Sequence, residues 1–191
     1  YSGLTSEFAN FPLAIFKLSE RYFLQAEAAL RWNIGGSLNS NYLKGVAAMF
    51  DAYNIAQTSD EFKAYWAQGE ADTSIDYVDP YDSYNNIKGL VTVGVKINNS
   101  DDNKTKLEKI ITQKWIANFP MGLEAWNDLR RTGYPRIFPV NDIGDGSLGK
   151  GRMVRRIPWN MTDAAAAQDV NASGVPALGG GNFMRTTLWW D

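Results

Sequence analysis

Five aromatic side chains, Tyr65, Trp66, Tyr77, Tyr81 and Tyr84, are interleaved with Asp76, Asp79, Asp82, Asn85 and Asn86. Flat aromatic faces stack on the apolar C–H faces of sugar rings, and carboxylates and amides beside them bond hydroxyls. The same residue types also fill cores and shape solvated turns. Both readings stand at the level of sequence: Trp66 filling a core with tyrosines on a wet loop, or a set of platforms for a ligand. The surrounding segment, 58–100, is rich in turn residues, and recognition residues concentrate on loops held by a rigid scaffold. The chain as a whole carries 7 Trp, 9 Tyr and 9 Phe, so aromatic content alone does not single the cluster out.

Other chemistries are narrowed by what the chain lacks. With no Cys and no His, disulfides, thiol catalysis, Cys/His zinc sites and His-based triads are excluded. Two acidic loops, Asp76/Asp79/Asp82 and Asn141/Asp142/Asp145/Ser147, offer oxygen ligands of the kind calcium takes, but neither has the EF-hand spacing. Glu108, Glu124 and Asp128 are the carboxylates that a glycosidic hydrolysis would need, if two of them faced each other across a cleft. GDGSLGKG at 144–151 lacks the ending of a phosphate-binding loop. A balance of 19 basic and 21 acidic residues gives no electrostatic case for nucleic acid and no polybasic membrane patch. No run of 18 apolar residues exists to span a bilayer, and the first residues, YSGLTSEF, do not read as a signal peptide.

The elements that must position these groups read as helical. Glu20–Trp32 is predicted as a helix with Ser19 as its N-cap and Gly35-Gly36 at its end. A second helix is predicted over 40–53, with Tyr42, Leu43, Val46, Ala47, Phe50 and Tyr53 at helical spacing. The short link makes the two an antiparallel hairpin, and Ala26, Ala29, Gly45 and Ala48 permit close approach. Thr58-Ser-Asp-Glu61 reads as a capping box for a third, short helix closed by Gly69. Leu90–Ile97 is expected to be a short extended or helical piece.

The stretch from Lys106 to Pro135 organises the rest. Leu107, Ile110, Ile111, Trp115, Ile116 and Phe119 share one helical face after the Asp101-Asp102-Asn103 start, and Pro120 stops that helix. A short helix follows and ends on Arg130 and Arg131, with Gly133 as its cap. From Tyr134 onward prolines, glycines and short polar runs predict an arm with little regular structure, apart from a brief strand over Met153–Trp159.

Three sets of residues resemble landmarks of the SusD/RagB family of outer-membrane nutrient-binding lipoproteins. They are IITQKWIANF at 110–119 with GLEAWNDLRRTGYP at 122–135; Ser19, Glu20, Leu24, Ala26, Glu27 and Ala28; and Arg155, Arg156, Asn160, Trp189, Trp190 and Asp191. The last set departs from the family's order at Pro158-Trp159. The resemblance implies a mostly α fold: a tetratricopeptide-like hairpin at about 17–54, a variable segment 58–100, helices over 101–132 and an irregular arm 134–191. It assigns Trp115, Trp126, Arg130, Arg131, Arg155 and Arg156 to structural roles. It implies glycan binding without catalysis or cofactor, beside a TonB-dependent outer-membrane transporter. It also implies that this chain is the C-terminal part of a longer protein, lipid-anchored on the extracellular face through an N-terminal segment absent here. Two alternatives stay open, a transporter lid for a non-glycan nutrient such as peptide and a glycoside hydrolase fragment.

Overall fold

The computed structural model describes residues 14–69, 75–139, 146–149 and 151–191. Their regular structure is helical, in keeping with the expected mostly α class, and β-pairing among them is limited to isolated bridges. One compact unit comprises the described residues of 1–70 and 93–126; a second comprises those of 71–92 and 127–191.

In the first unit, α1 (Leu18–Trp32) and α2 (Leu38–Asp51) form the predicted hairpin. Ser19 is not the cap of α1. It lies buried inside the first turn, and the capping position falls to Lys17, whose side chain makes no cap bond. The Lys17 ammonium instead donates to Ala117 O (2.8 Å) and Phe119 O (2.6 Å). It thereby supplies the cation that the C-terminal end of another helix attracts. Helix α1 ends on Asn33, in the left-handed region at φ 55°, and Gly35 and Gly36 carry the positive φ values of the link. Ser37 Oγ then accepts from Ser40 N to open α2.

The hairpin closes over Phe23. A Cβ at Gly45 would lie 2.8 Å from the Phe23 ring, so glycine is what lets α2 approach α1 here. Phe23 meets Tyr42 edge-on at 6.0 Å, and Tyr42 meets Trp66 at 5.9 Å. Short helix α3 (Asp60–Trp66) adds Phe62, which stacks on Trp66 and meets Phe50 at 5.2 Å. Its cap is Ser59, one residue later than the expected box position, accepting from Phe62 N. Residues 90–97 form no helix or strand; Val95 and Ile97 are nevertheless buried, and Val95 O accepts from the Tyr42 hydroxyl. Burial pushes the Tyr42 hydroxyl pKa well up, so it stays a donor.

Helix α4 (Asn103–Ala117) starts on Asp102, which accepts from Thr105 N at 2.7 Å. Its apolar stripe is only half a core stripe. Ile110 and Ile111 are fully buried, but Trp115, Ile116 and Phe119 are exposed. Glu108, Lys109, Gln113 and Lys114 are buried in their place. The reason is that the charges find partners inside: Lys109 Nζ donates to Asp101 Oδ2 and to Lys96 O, both at 2.8 Å, and Lys114 faces Glu20 at 3.5 Å. Periodicity registers hydrophobicity and is blind to such pairing. Burial tends to raise the Asp101 carboxyl, but the Lys109 hydrogen bond, the Asn98 N–H and the Lys109 and Lys106 charges outweigh it, and its pKa is lowered.

Helix α5 (Gly122–Thr132) leads from the first unit into the second and ends as predicted, with Gly133 at φ 75° and its N–H on Leu129 O. In the second unit the arginines tie irregular backbone together. Arg130 Nε lies 3.3 Å from Asp191 Oδ1, with its guanidinium 5.6 Å from the Trp190 ring centre. Arg155 Nη1 donates to Arg130 O at 2.9 Å; Arg156 Nη1 donates to Asn182 Oδ1 at 2.7 Å and its guanidinium stacks on Trp159. The expected strand over Met153–Trp159 does not form. The N–H groups of Arg155 and Arg156 both point at Met184 O, which breaks the alternation a ladder needs. The arm is also more regular than predicted. Helix α6 (Ala164–Asp169) starts where Asp163 accepts from Ala165 N, and it continues through a π turn (Val170–Gly174) into α7 (Val175–Leu178). Four alanines after an Asp cap favour a helix, since alanine has the highest helix propensity and Asp caps well, and this signal was legible in the sequence.

Candidate functional site

The expected aromatic cluster divides between the two units. Tyr65 and Trp66 lie in the first, within packed aromatic contacts: Trp66 against Tyr42 and Phe62, Tyr65 against Phe50 at 5.1 Å. The Tyr65 hydroxyl donates to Gln113 Oε1 at 2.6 Å, which ties α3 to α4. Tyr77, Tyr81 and Tyr84 lie in the second unit and face solvent, with exposures of 43%, 97% and 57%.

What holds the loop of these three tyrosines is largely polar. Tyr77 and Ile87 exchange both backbone hydrogen bonds, at 2.9 and 3.1 Å, in an isolated antiparallel bridge that closes the loop. Asp79 sits inside it. Its Oδ1 accepts from the N–H groups of Tyr81 (2.8 Å) and Asp82 (3.0 Å). Its Oδ2 accepts from the Tyr77 hydroxyl (3.2 Å) and Asn85 Nδ2 (3.3 Å), and its own N–H donates to Asn86 Oδ1 (2.8 Å). Asp82 then accepts from Tyr84 N at 2.9 Å to open a 3₁₀ turn, Ser83–Asn85. At the base, Asp76 accepts from Lys88 Nζ and from Gly89 N. These are side-chain mimics of turn hydrogen bonds, the use to which Asp and Asn are suited.

The bonding sets the electrostatics. The Tyr81 and Asp82 N–H groups are the main reason that the Asp79 carboxyl is held below its usual range. The Lys88 and Gly89 bonds do the same for Asp76. The Asp79 charge, and then its hydrogen bond, raise the Tyr77 hydroxyl. Among the described residues no group of three acidic side chains is placed to hold a metal ion. Of the second candidate calcium loop, Asn141, Asp142 and Asp145 lie outside the described residues.

Sequence reasoning missed two features here. Phe138 packs against Tyr77 with ring centres 6.1 Å apart, and nothing in the spacing of the two residues announces it. The spacing of the aspartates also does not show that their carboxylates are engaged with the loop itself. Of the carboxylates considered for hydrolysis, Glu108 and Asp128 are buried and Glu124 faces solvent. Of the landmark residues, Arg130 and Arg156 are buried, Arg131 pairs with Asp128 at 2.8 Å, and Trp126 is partly buried. Trp115 is 38% exposed. The first unit also has an apolar side, a concavity of about 360 Å³ lined by Met49, Phe50, Tyr53, Ile55, Tyr65, Ile116 and Phe119. Its walls are almost wholly apolar, so it lacks the convergent polar groups that fix a small polar ligand.

Over residues 1–191 the chain matches the family described as SusD-like, SusD and RagB outer membrane lipoprotein. Among solved structures it is similar to a chitin-binding SusD homologue from Flavobacterium johnsoniae, with 41% identity and a TM-score of 0.74 over 90% of this chain and 35% of that one. It is similar to a SusD homologue from Bacteroides uniformis, with 34% identity and a TM-score of 0.74 over 90% of this chain and 36% of that one. A SusD-like protein from Bacteroides thetaiotaomicron gives 32% identity and a TM-score of 0.77, over 94% of this chain and 37% of that one. The chain thus spans little more than a third of the length of these relatives. A comparison with curated proteins gives no match.

Proposed function

We propose the following for a chain that belongs to the SusD-like family of SusD and RagB outer membrane lipoproteins: it binds oligosaccharide or polysaccharide at the cell surface, without catalysis, and presents it for uptake. The observation that carries this reading is the tyrosine loop. Three tyrosines stand in water on a segment whose own hydrogen bonds hold it in place, with Tyr81 almost fully exposed. Exposing such rings has no folding benefit, whereas a pre-ordered aromatic surface lowers the entropy lost on binding. The chitin-binding relative supports a glycan as the ligand class.

The mechanism is stacking and hydrogen bonding. Each ring offers an apolar face to a sugar C–H face, worth roughly 0.5–1.5 kcal/mol. Three such contacts give about 2–4 kcal/mol, an affinity weaker than about 1 mM on their own. Repeating sugar units and further contacts elsewhere in a longer protein would raise that by avidity. Tyr65 and Trp66 have packing partners within the first unit.

The partners follow from the family and from the exposed apolar side of the first unit. Trp115, Ile116 and Phe119 suit coverage by protein, either the remainder of a longer polypeptide or a TonB-dependent outer-membrane transporter. Anchoring on the extracellular face by lipid belongs to the same proposal. That apolar side also favours a second reading, in which the protein serves as a transporter lid for a non-glycan nutrient. Calorimetric titration of the full-length protein against plant, host and microbial oligosaccharides separates the two. Binding of one glycan class, weakened by Tyr81→Ala and Tyr84→Ala, supports the first. Silence across the panel together with co-purification of a transporter supports the second.

A further inference from the structure

We infer that the tyrosine loop selects uncharged or cationic glycans and rejects polyanionic ones, with the sign of the site set by Asp79 and Asp82. The inference rests on the glycan-binding reading and goes beyond it, because aromatic stacking by itself is indifferent to the charge of a sugar. Uronates and sulfated sugars present C–H faces just as neutral sugars do.

The loop is not indifferent. Between residues 75 and 92 the formal charges are those of Asp76, Asp79, Asp82 and Lys88. Lys88, the one cation of the four, is engaged by Asp76 at the base. The remaining two charges are bonded to the backbone of the ring-bearing residues: Asp79 Oδ1 is 2.8 Å from Tyr81 N and Asp82 Oδ1 is 2.9 Å from Tyr84 N. A charged sugar stacked on Tyr81 or Tyr84 meets the field of these two fixed carboxylates, screened over about a Debye length, roughly 8 Å at physiological salt and longer at low salt. Asp79 keeps its charge at any ordinary pH, since backbone N–H groups hold its pKa down. From the neighbouring segment, Phe138 meets Tyr77 with an apolar ring, and the Arg136 guanidinium stands 5.9 Å from the Tyr134 ring. The loop's own formal charges, Asp76, Asp79 and Asp82 against Lys88, are net negative. Like charge brought to the loop costs affinity, and this is how a site of weak contacts gains selectivity. An ammonium, as on a deacetylated amino sugar, gains from the same field.

The test uses the full-length protein and four hexasaccharides of matched length: β-1,4-glucose, N-acetylglucosamine, glucosamine and galacturonate. In 20 mM salt the galacturonate hexamer is expected to bind about tenfold or more weakly than the neutral pair, and the gap should narrow to about twofold at 0.5 M salt. Glucosamine should match or exceed N-acetylglucosamine at low salt. Asp82→Asn keeps a side chain able to cap the turn and removes one charge. It should raise galacturonate affinity relative to N-acetylglucosamine by about threefold. Equal or tighter binding of galacturonate, or a gap that responds neither to salt nor to Asp82→Asn, overturns the inference and leaves the glycan-binding reading standing. Silence toward all four probes removes that reading and the inference with it.

Discussion

The aromatic residues of the first unit and those of the 76–89 loop are the same kinds of residue with opposite fates. Phe23, Tyr42, Phe62 and Trp66 are held by one another and by the close approach at Gly45. Tyr77, Tyr81 and Tyr84 are held by hydrogen bonds to Asp79 and Asp82 and face water. Hydrophobic burial orders the first group and gains stability from each ring. A polar network orders the second, and the rings add little to stability. An aromatic residue positioned by something other than its own burial remains available for a ligand.

Substitutions test that contrast, and the largest effect belongs to the core. Phe23→Ala should destabilise by about 3–5 kcal/mol in denaturant unfolding, because it leaves a cavity under Gly45. Asp101→Asn should cost about 3 kcal/mol by leaving the Lys109 ammonium, 1% exposed, without its carboxylate. Lys109→Met should cost much less in the same unfolding series, since it removes the buried charge rather than orphaning it. Gly45→Ala should destabilise by about 1–2 kcal/mol despite alanine's better helix propensity, because the Phe23 ring has no room to yield. If these core variants weaken glycan affinity at temperatures where they are folded, the proposed independence of the two aromatic groups fails.

The loop should behave in reverse. Tyr81→Ala should lower glycan affinity about tenfold in titration while unfolding stability moves by no more than about 0.5 kcal/mol. The smallest effect is that of acid. The Asp79 pKa is depressed in the folded loop, so its contribution to loop order is complete above the ordinary carboxylate value of 3.8 and is lost as pH falls through the lower folded value. Amide exchange at Tyr81 and Asp82 should accelerate only in that acidic window. Acceleration near neutral pH would mean that Asp79 does not hold the loop.

Local signals were largely readable. The hairpin, the start of α4 on Asp102, the Gly133 stop and the small residue at Gly45 all follow from neighbours in sequence, where capping and period act. The errors have a common cause. Ser19 looked like a cap, but Lys17 reaches about a hundred positions along the chain to Ala117 and Phe119, and the helix begins at Leu18 rather than at the expected Glu20. Trp66 was open to both a core and a platform reading, because the sequence does not show Tyr42 beside it. The candidate site was half legible: the tyrosines and aspartates were identified, while Phe138 and the inward use of Asp79 were not.

By itself the sequence determined the helical class, the absence of Cys and His chemistry and the family, because composition, period and motif are properties of neighbouring residues. Tertiary structure decided which aromatics are buried and which face water, and which charges are buried with partners. Those outcomes depend on contacts between residues far apart in the chain, as Lys109 with Lys96 O, Tyr65 with Gln113, and Arg156 with Asn182 show. Burial is settled by such distant partners, and one-dimensional spacing carries no record of them.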